Sequence, residues 1–136
     1  MSSESHGFGQ KLRLFSETGY HLTIRNDGTV EGSEEDDNPE CFLELISAGP
    51  GLVQIKGMDS NLCLCFNEEG QLYGEQEFSH EGTVFHETLE GLYNAYKSVK
   101  HPDWFVGIKK NGKPKPGPKT KYGQKAVRFL PRRLRV

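Results

Sequence analysis

The sequence predicts an all-β fold made of three repeats of about 42 residues. Gly28, Gly70 and Gly112 recur at 42-residue intervals, and each closes a polar turn: Asn26-Asp27-Gly28, Glu68-Glu69-Gly70 and Lys110-Asn111-Gly112. A short alternating segment precedes each turn at the same step: Leu22-Thr23-Ile24, Leu64-Cys65-Phe66 and Val106-Gly107-Ile108. Period-2 alternation dominates, and no stretch of helical length carries a 3.6-residue period. Glycine at such turns marks a hairpin, because the turn needs positive φ. Three units of four strands make twelve short strands, the count of a β-trefoil. Six strands close a barrel and three hairpins cap one end, which leaves few free edges.

The elements follow in order. Met1 to Gln10 reads as a disordered N-terminal segment and residues 11–136 as one β-trefoil domain. At 136 residues the chain suffices for one core and not two. Gly32 and Gly74 close the second arms of the first two hairpins. Downstream, the 42-residue step aligns Leu43 with Phe85 and Val127, and Leu45 with Glu87 and Phe129. Glu87 to Tyr93 reads equally as strand or as a short helical touch. The third hairpin starts like the others and then departs from them. Pro114, Pro116 and Pro118 cannot donate to a ladder, so the segment leaves the sheet as a loop.

The formal net charge of −2 conceals a division. Lys97 to Val136 holds thirteen basic side chains and one acidic; Met1 to Tyr96 holds four basic and eighteen acidic. Such a dipolar molecule draws a polyanion to its basic end. Lys109 to Lys125 alone carries seven lysines and no acid. Its prolines restrain the loop, so less entropy is lost when the lysines meet a ligand. Nucleic-acid binders interleave aromatics or aim Arg at base edges. Here only Tyr122 interrupts the run. Lysine, a compact point charge, suits sulfate. A sulfated polysaccharide fits better than DNA or RNA.

Other chemistry is absent. There is no nucleotide-binding glycine pattern, no H-E-x-x-H and no G-x-S-x-G. The reading is a binding protein, not an enzyme, with no cofactor and no metal. Cys41, Cys63 and Cys65 are too few for a disulfide scaffold, and a C-x-C pair is a poor zinc signal. They read as buried small hydrophobes. No apolar run approaches the ~20 residues of a membrane span, and Met1 to Gln10 lacks the apolar centre of a signal peptide.

Specific motifs now carry a resemblance from about Leu12 to Pro131. They are Thr18-Gly-Tyr-His-Leu-Thr-Ile, Asp27-Gly-Thr-Val-Glu-Gly32, Gly51-Leu-Val-Gln-Ile-Lys-Gly57, Gly70-Gln-Leu-Tyr-Gly74, Phe85-His-Glu87, Tyr93-Asn-Ala-Tyr96, Trp104-Phe-Val-Gly-Ile-Lys-Lys-Asn-Gly112, Gly117-Pro-Lys-Thr, Tyr122-Gly-Gln-Lys-Ala126 and Phe129-Leu-Pro131. The chain resembles the fibroblast growth factor family, most closely its acidic and basic branch in the C-terminal third. The mixture of motifs resembles an early-branching or invertebrate-type member.

The resemblance implies a secreted β-trefoil mitogen that binds a receptor tyrosine kinase ectodomain with heparan sulfate as co-ligand. Its leader would be removed, or export would take another route. It implies a monomer, brought into dimers on receptor and sugar, with no nucleic acid and no membrane insertion. By the same likeness heparan sulfate meets Thr18, Lys109, Lys110, Asn111, Lys115, Lys119, Gln124, Lys125 and the backbone at Ala126. Receptor contact falls on Phe15, Glu87, Tyr93, Asn94 and Leu130. Tyr93 and Leu130 are the apolar anchors, and Glu87 and Asn94 the polar partners. Phe15 and Leu130 read equally well as core, whereas Tyr93-Asn94 reads as loop.

The chain departs from the family pattern in several places. Gly82-Thr83 replaces Glu-Cys, and one residue is missing between Glu87 and Tyr93. Glu34 opens an acidic run to Asp37. Pro116 replaces a basic residue, for which Lys113 and Lys121 would compensate, and Arg132 replaces a leucine. With Arg128, Arg133 and Arg135, Arg132 would extend the basic face. Two alternatives stand beside this reading: an intracellular homologous factor with a cytosolic partner, and a trefoil lectin. Lectin repeats carry a Q-x-W in each copy, and Trp104 lies outside such a motif.

Overall fold

The computed structural model describes residues 9–134. Ten strands are present there: β1 (Gln10–Ser16), β2 (His21–Ile24), β3 (Val30–Ser33), β4 (Leu43–Gly49), β5 (Leu52–Gly57), β6 (Cys63–Phe66), β7 (Leu72–Glu75), β8 (Phe85–Glu90), β9 (Tyr93–Ser98) and β10 (Phe129–Arg133). Pairing runs β1–β4–β5–β8–β9–β10 and returns to β1, all antiparallel, so six strands close a barrel. β2 with β3 and β6 with β7 form the first two capping hairpins. The chain is an all-β, β-trefoil protein.

The threefold relation is visible in hydrogen bonds that no hairpin makes alone. Gly74 N–H donates to Gly28 C=O, Gly117 N–H to Gly70 C=O and Gly32 N–H to Gly112 C=O, each at 2.8 Å. Each repeat's turn is thereby tied to another repeat. Those turns hold Gly28, Gly70 and Gly112 at φ of 89°, 87° and 84°, where a side chain is strained. The equivalent residues Leu22, Leu64 and Val106 are all fully buried, as are Ile24, Phe66 and Ile108 to within 1%. They meet in one core, and burying each such side chain stabilises by ~1.5–3 kcal/mol.

Two expectations are corrected in the third unit. The twelve predicted strands are ten, because the third hairpin is reduced to a bridge between Ile108 and Pro114 and a tight turn. Pro114 has no N–H to extend the ladder. The 42-residue step also breaks here. A 3-10 turn leads into one barrel strand of each repeat: Pro39–Cys41 before Leu43, Glu81–Thr83 before Phe85, and Lys125–Val127 before Phe129. Phe129, not Val127, is thus the counterpart of Leu43 and Phe85. The two extra residues lie in the proline-rich loop, where no ladder register constrains length.

The Glu87–Tyr93 segment is a β-hairpin: Glu90 pairs with Tyr93 across Gly91-Leu92, with Gly91 at φ 64°. Of the segment expected to be disordered, residues 1–8 lie outside the described residues. Gln10 opens β1 opposite Leu45, so the domain boundary at Lys11 moves at least one residue earlier. The three thiols are free and buried, as their reading as small hydrophobes expects. Burial pushes Cys41 up to about 11 and Cys63 up to about 12, so both stay protonated at neutral pH.

Candidate binding faces

The basic loop is rigid because its backbone is tied inward. Thr120 donates its hydroxyl to Gly117 C=O (2.6 Å) and accepts from Phe105 N–H (2.8 Å). A Cβ at Gly117 would lie 2.7 Å from the Trp104 ring, and Trp104 in turn meets Phe66 of the core edge-on at 5.5 Å. Close packing of loop on ring and ring on core leaves the lysines to point outward.

Thr18, Lys109, Lys110, Lys115, Lys125 and Ala126 line one open depression of about 410 Å³. Three separate segments build it. Thr18, in the β1–β2 turn, donates to Ile108 C=O (3.0 Å) and shares a hydrogen bond with the Ser16 hydroxyl (2.7 Å). Ile108 N–H donates to Ala126 C=O at 3.0 Å, joining the second segment to the third. The Tyr20 hydroxyl donates to Lys110 C=O at 3.0 Å. Lys125 and Ala126 open a 3-10 turn, where the first N–H groups have no acceptor within the turn. Among the described residues, none of the seven lysines from Lys109 to Lys125 pairs with a carboxylate. Four lysines that pair with no carboxylate line one hollow, largely with their methylene stems, and with backbone donors at its edge they are suited to a sulfate or phosphate.

Six of the nine residues assigned to heparan sulfate thus converge. Lys119 is exposed outside the depression. Asn111 accepts the Lys113 N–H at 3.0 Å. Gln124 braces the loop, accepting from Lys121 N–H (3.1 Å) and donating to Lys119 C=O (3.4 Å). Lys113 lines a second hollow together with Lys115 and Pro116, and Lys121 lines a third. Arg128 is committed as well. It bonds Glu90 at 2.8 Å and Glu17 at 3.1 Å, and these bonds hold its guanidinium above its usual value. It locks the β8–β9 hairpin to the first turn and does not extend the free basic face. Arg135 lies outside the described residues.

A second face crosses the barrel. Leu130 pairs with Phe15 and Phe129 with Asn94, so Phe15 and Leu130 share the outer side of adjacent strands, while Asn94 is buried opposite Phe129. Tyr93 and Asn94 begin β9 and are not in a loop, because backbone pairing runs to the hairpin tip. Asn94 donates to Glu87 at 3.1 Å, and the buried Tyr96 hydroxyl donates to the same Glu87 oxygen at 2.9 Å. Two donors thereby fix the carboxylate, and a fixed polar group loses little entropy on meeting a partner. Phe15 is half-buried and Leu130 37% exposed, so neither is core. Sequence reasoning missed Leu89 and Leu92, which stand 78% and 85% exposed at the adjoining tip. Two leucines flanking a glycine carry no periodic signal.

His21 packs under this face, its ring 4.8 Å from Phe15. Burial lowers its pKa, the bond to Ser33 C=O opposes that, and Arg13 and Arg132 lower it further. The unfolded chain then binds the extra proton from about pH 6.5 downward. Stability is therefore expected to fall as pH drops from about 6.5 through the folded pKa. Denaturant unfolding from pH 7.5 to 5 should show this decline, and His21→Gln should flatten it. An unaltered slope in the variant would place the titration elsewhere.

Known proteins resemble this chain along most of its length. The fibroblast growth factor family profile matches residues 10–130. Fibroblast growth factor 1 of Notophthalmus viridescens is 44% identical over 123 residues, 89% of this chain and 93% of the relative. Putative fibroblast growth factor 1 of Danio rerio is 44% identical over 136 residues, 98% of this chain and 92% of the relative. Fibroblast growth factor 2 of Gallus gallus is 39% identical over 125 residues, 91% and 79% respectively. With that identity and coverage the chain belongs to the fibroblast growth factor family, and it is a growth factor, a signalling ligand and not an enzyme.

Proposed function

We propose that this growth factor binds a fibroblast growth factor receptor ectodomain with heparan sulfate as co-ligand, and that it acts outside the cell. The observation that carries the reading is the depression of about 410 Å³ among Thr18, Lys109, Lys110, Lys115, Lys125 and Ala126. Its lysines point outward, its backbone is braced, and its position is separate from the Phe15–Leu130 patch. One molecule can then present a sulfated chain on one side and an apolar-and-carboxylate patch on another. Extracellular action accords with a heparan sulfate ligand. No helix among the described residues is long and apolar enough to cross a membrane.

The experiment is capture of receptor ectodomains on the immobilised protein, with and without heparin. Heparin is expected to strengthen capture. Tyr93→Ala should weaken receptor affinity by ~2 kcal/mol, about 30-fold, with heparin binding unchanged. No capture of any receptor ectodomain in the presence of heparin would overturn the reading. An unchanged dissociation constant for Tyr93→Ala would move the receptor face off β9.

A further inference from the structure

Cys65, Glu75 and His80 come together in the second repeat, on the middle of β6, the end of β7 and the cap of the following 3-10 turn. The sulfur, a carboxylate oxygen and an imidazole nitrogen all lie within 4.8 Å of one another. We propose that these three side chains form a zinc site that staples β6, β7 and the turn Glu81–Thr83 together. It is independent of the receptor and heparan sulfate reading.

Three features favour a metal over a chance cluster. First, the Cys65 sulfur is 3.4 Å from His80 Nδ1. Tetrahedral zinc, with Zn–S near 2.3 Å and Zn–N near 2.0 Å, sets those atoms ~3.5 Å apart. A Glu75 carboxylate oxygen lies within 4.8 Å of the sulfur and of an imidazole nitrogen. Second, Nδ1 is the unprotonated ring nitrogen, its one lone pair now accepting from a backbone N–H that a metal would replace. Gly82 N–H donates to Nδ1 at 3.0 Å, so Nδ1 carries no proton and the ring's own N–H is on Nε2. The thiol beside it donates to Nδ1 or to Phe66 C=O (3.5 Å).

Third, the site is shielded and charge-matched. Cys65 is fully buried, whereas Glu75 and His80 are half-buried and leave a way in. Gly82 makes the room, since a Cβ there would lie 2.8 Å from the sulfur. A thiolate, a carboxylate and a neutral imidazole balance a divalent ion, and sulfur with imidazole selects zinc over calcium or magnesium. The fourth position stays open to water. The Glu75 carboxylate is preset by the Tyr73 hydroxyl and by Glu77 N–H at 2.9 Å. Zinc must displace the Gly82 hydrogen bond, so the site is a moderate binder.

Binding exchanges one thiol proton for the metal, Cys–SH + Zn²⁺ giving Cys–S–Zn⁺ + H⁺, with no redox change. The C-x-C spacing concealed this arrangement, because Cys63 is not part of it. The partners lie ten and fifteen residues beyond Cys65, and only the fold gathers them.

The test uses the full chain, reduced and free of chelator, titrated with Co²⁺ and then with Zn²⁺. The expected result is a thiolate-to-cobalt charge-transfer band saturating at one equivalent and bleached by zinc. About one proton should be released per metal, and Tm should rise by roughly 3–10 °C in excess zinc. Cys65→Ala and His80→Asn should abolish all three; asparagine keeps a cap for Gly82 N–H and so tests the ligand without unfolding the turn. Cys41→Ala and Cys63→Ala should retain the band. No band and no Tm shift in the native chain, or a band surviving in His80→Asn, would overturn the site.

Discussion

Replacing Lys109, Lys110, Lys115 and Lys125 together by glutamine is expected to lower heparin affinity by about 10³-fold at physiological salt. The estimate follows from counterion release. Each ammonium that neutralises a fixed anionic charge adds ~0.9 to the salt slope, about a factor of five to six at 0.15 M salt. Four such groups surround the depression. The native chain should stay on immobilised heparin past ~0.5 M salt, and the variant should elute well below it. The salt slope itself should fall by about three to four units. Folding is not at risk, because none of the four side chains belongs to the core. Lys113→Gln with Lys121→Gln serves as the comparison, since those lysines line other hollows. Unchanged elution of the fourfold variant would locate the polyanion face elsewhere.

Phe129→Ala is expected to cost ~3–5 kcal/mol of unfolding free energy. Phe129 is fully buried, its ring 6.3 Å from that of Tyr96, and its backbone pairs with both Ser16 and Asn94. Truncation leaves a cavity in a barrel closed on both sides, which cannot collapse to fill it. Leu130→Ala, one residue along β10, should cost under ~1 kcal/mol because its side chain points out. It should instead weaken receptor binding. Denaturant midpoints compare the two directly. Similar losses from both would mean that β10 is slipped by one residue, which would exchange the two faces of the strand.

Much of the fold was legible because three independent signals agreed. The glycine turns, the alternating segments and their common step pointed to one architecture, and the ring of three 2.8 Å hydrogen bonds shows why the step exists. Each turn must meet another repeat's hairpin, so its position is constrained along the whole chain. Legibility ended where that constraint lapsed. Between Gly112 and Phe129 the chain is a loop, and a loop absorbs two extra residues without disturbing any pair. The alignment of Val127 with Leu43 failed there for that reason.

The candidate binding faces divide in the same way. Lysine-rich composition between prolines marked a candidate polyanion loop directly. That Lys109, Lys110, Lys115 and Lys125 share a hollow while Lys113 and Lys121 line others depends on turn geometry, which composition does not encode. Arg128 looked like one more free cation in the sequence. In the structure two carboxylates, one from the first turn and one from the β8–β9 hairpin, hold it.

The sequence by itself determined the all-β class, the hairpin positions, the separation of charge and the family, because those rest on local turn chemistry, short-range alternation and motif order. Only the tertiary structure decided which lysines share a hollow, that Tyr93 and Asn94 lie on a strand, and that Cys65 meets Glu75 and His80. Those are contacts between residues distant in sequence. Barrel closure and the register of β6, β7, β9 and β10 create them, and no local pattern records that register.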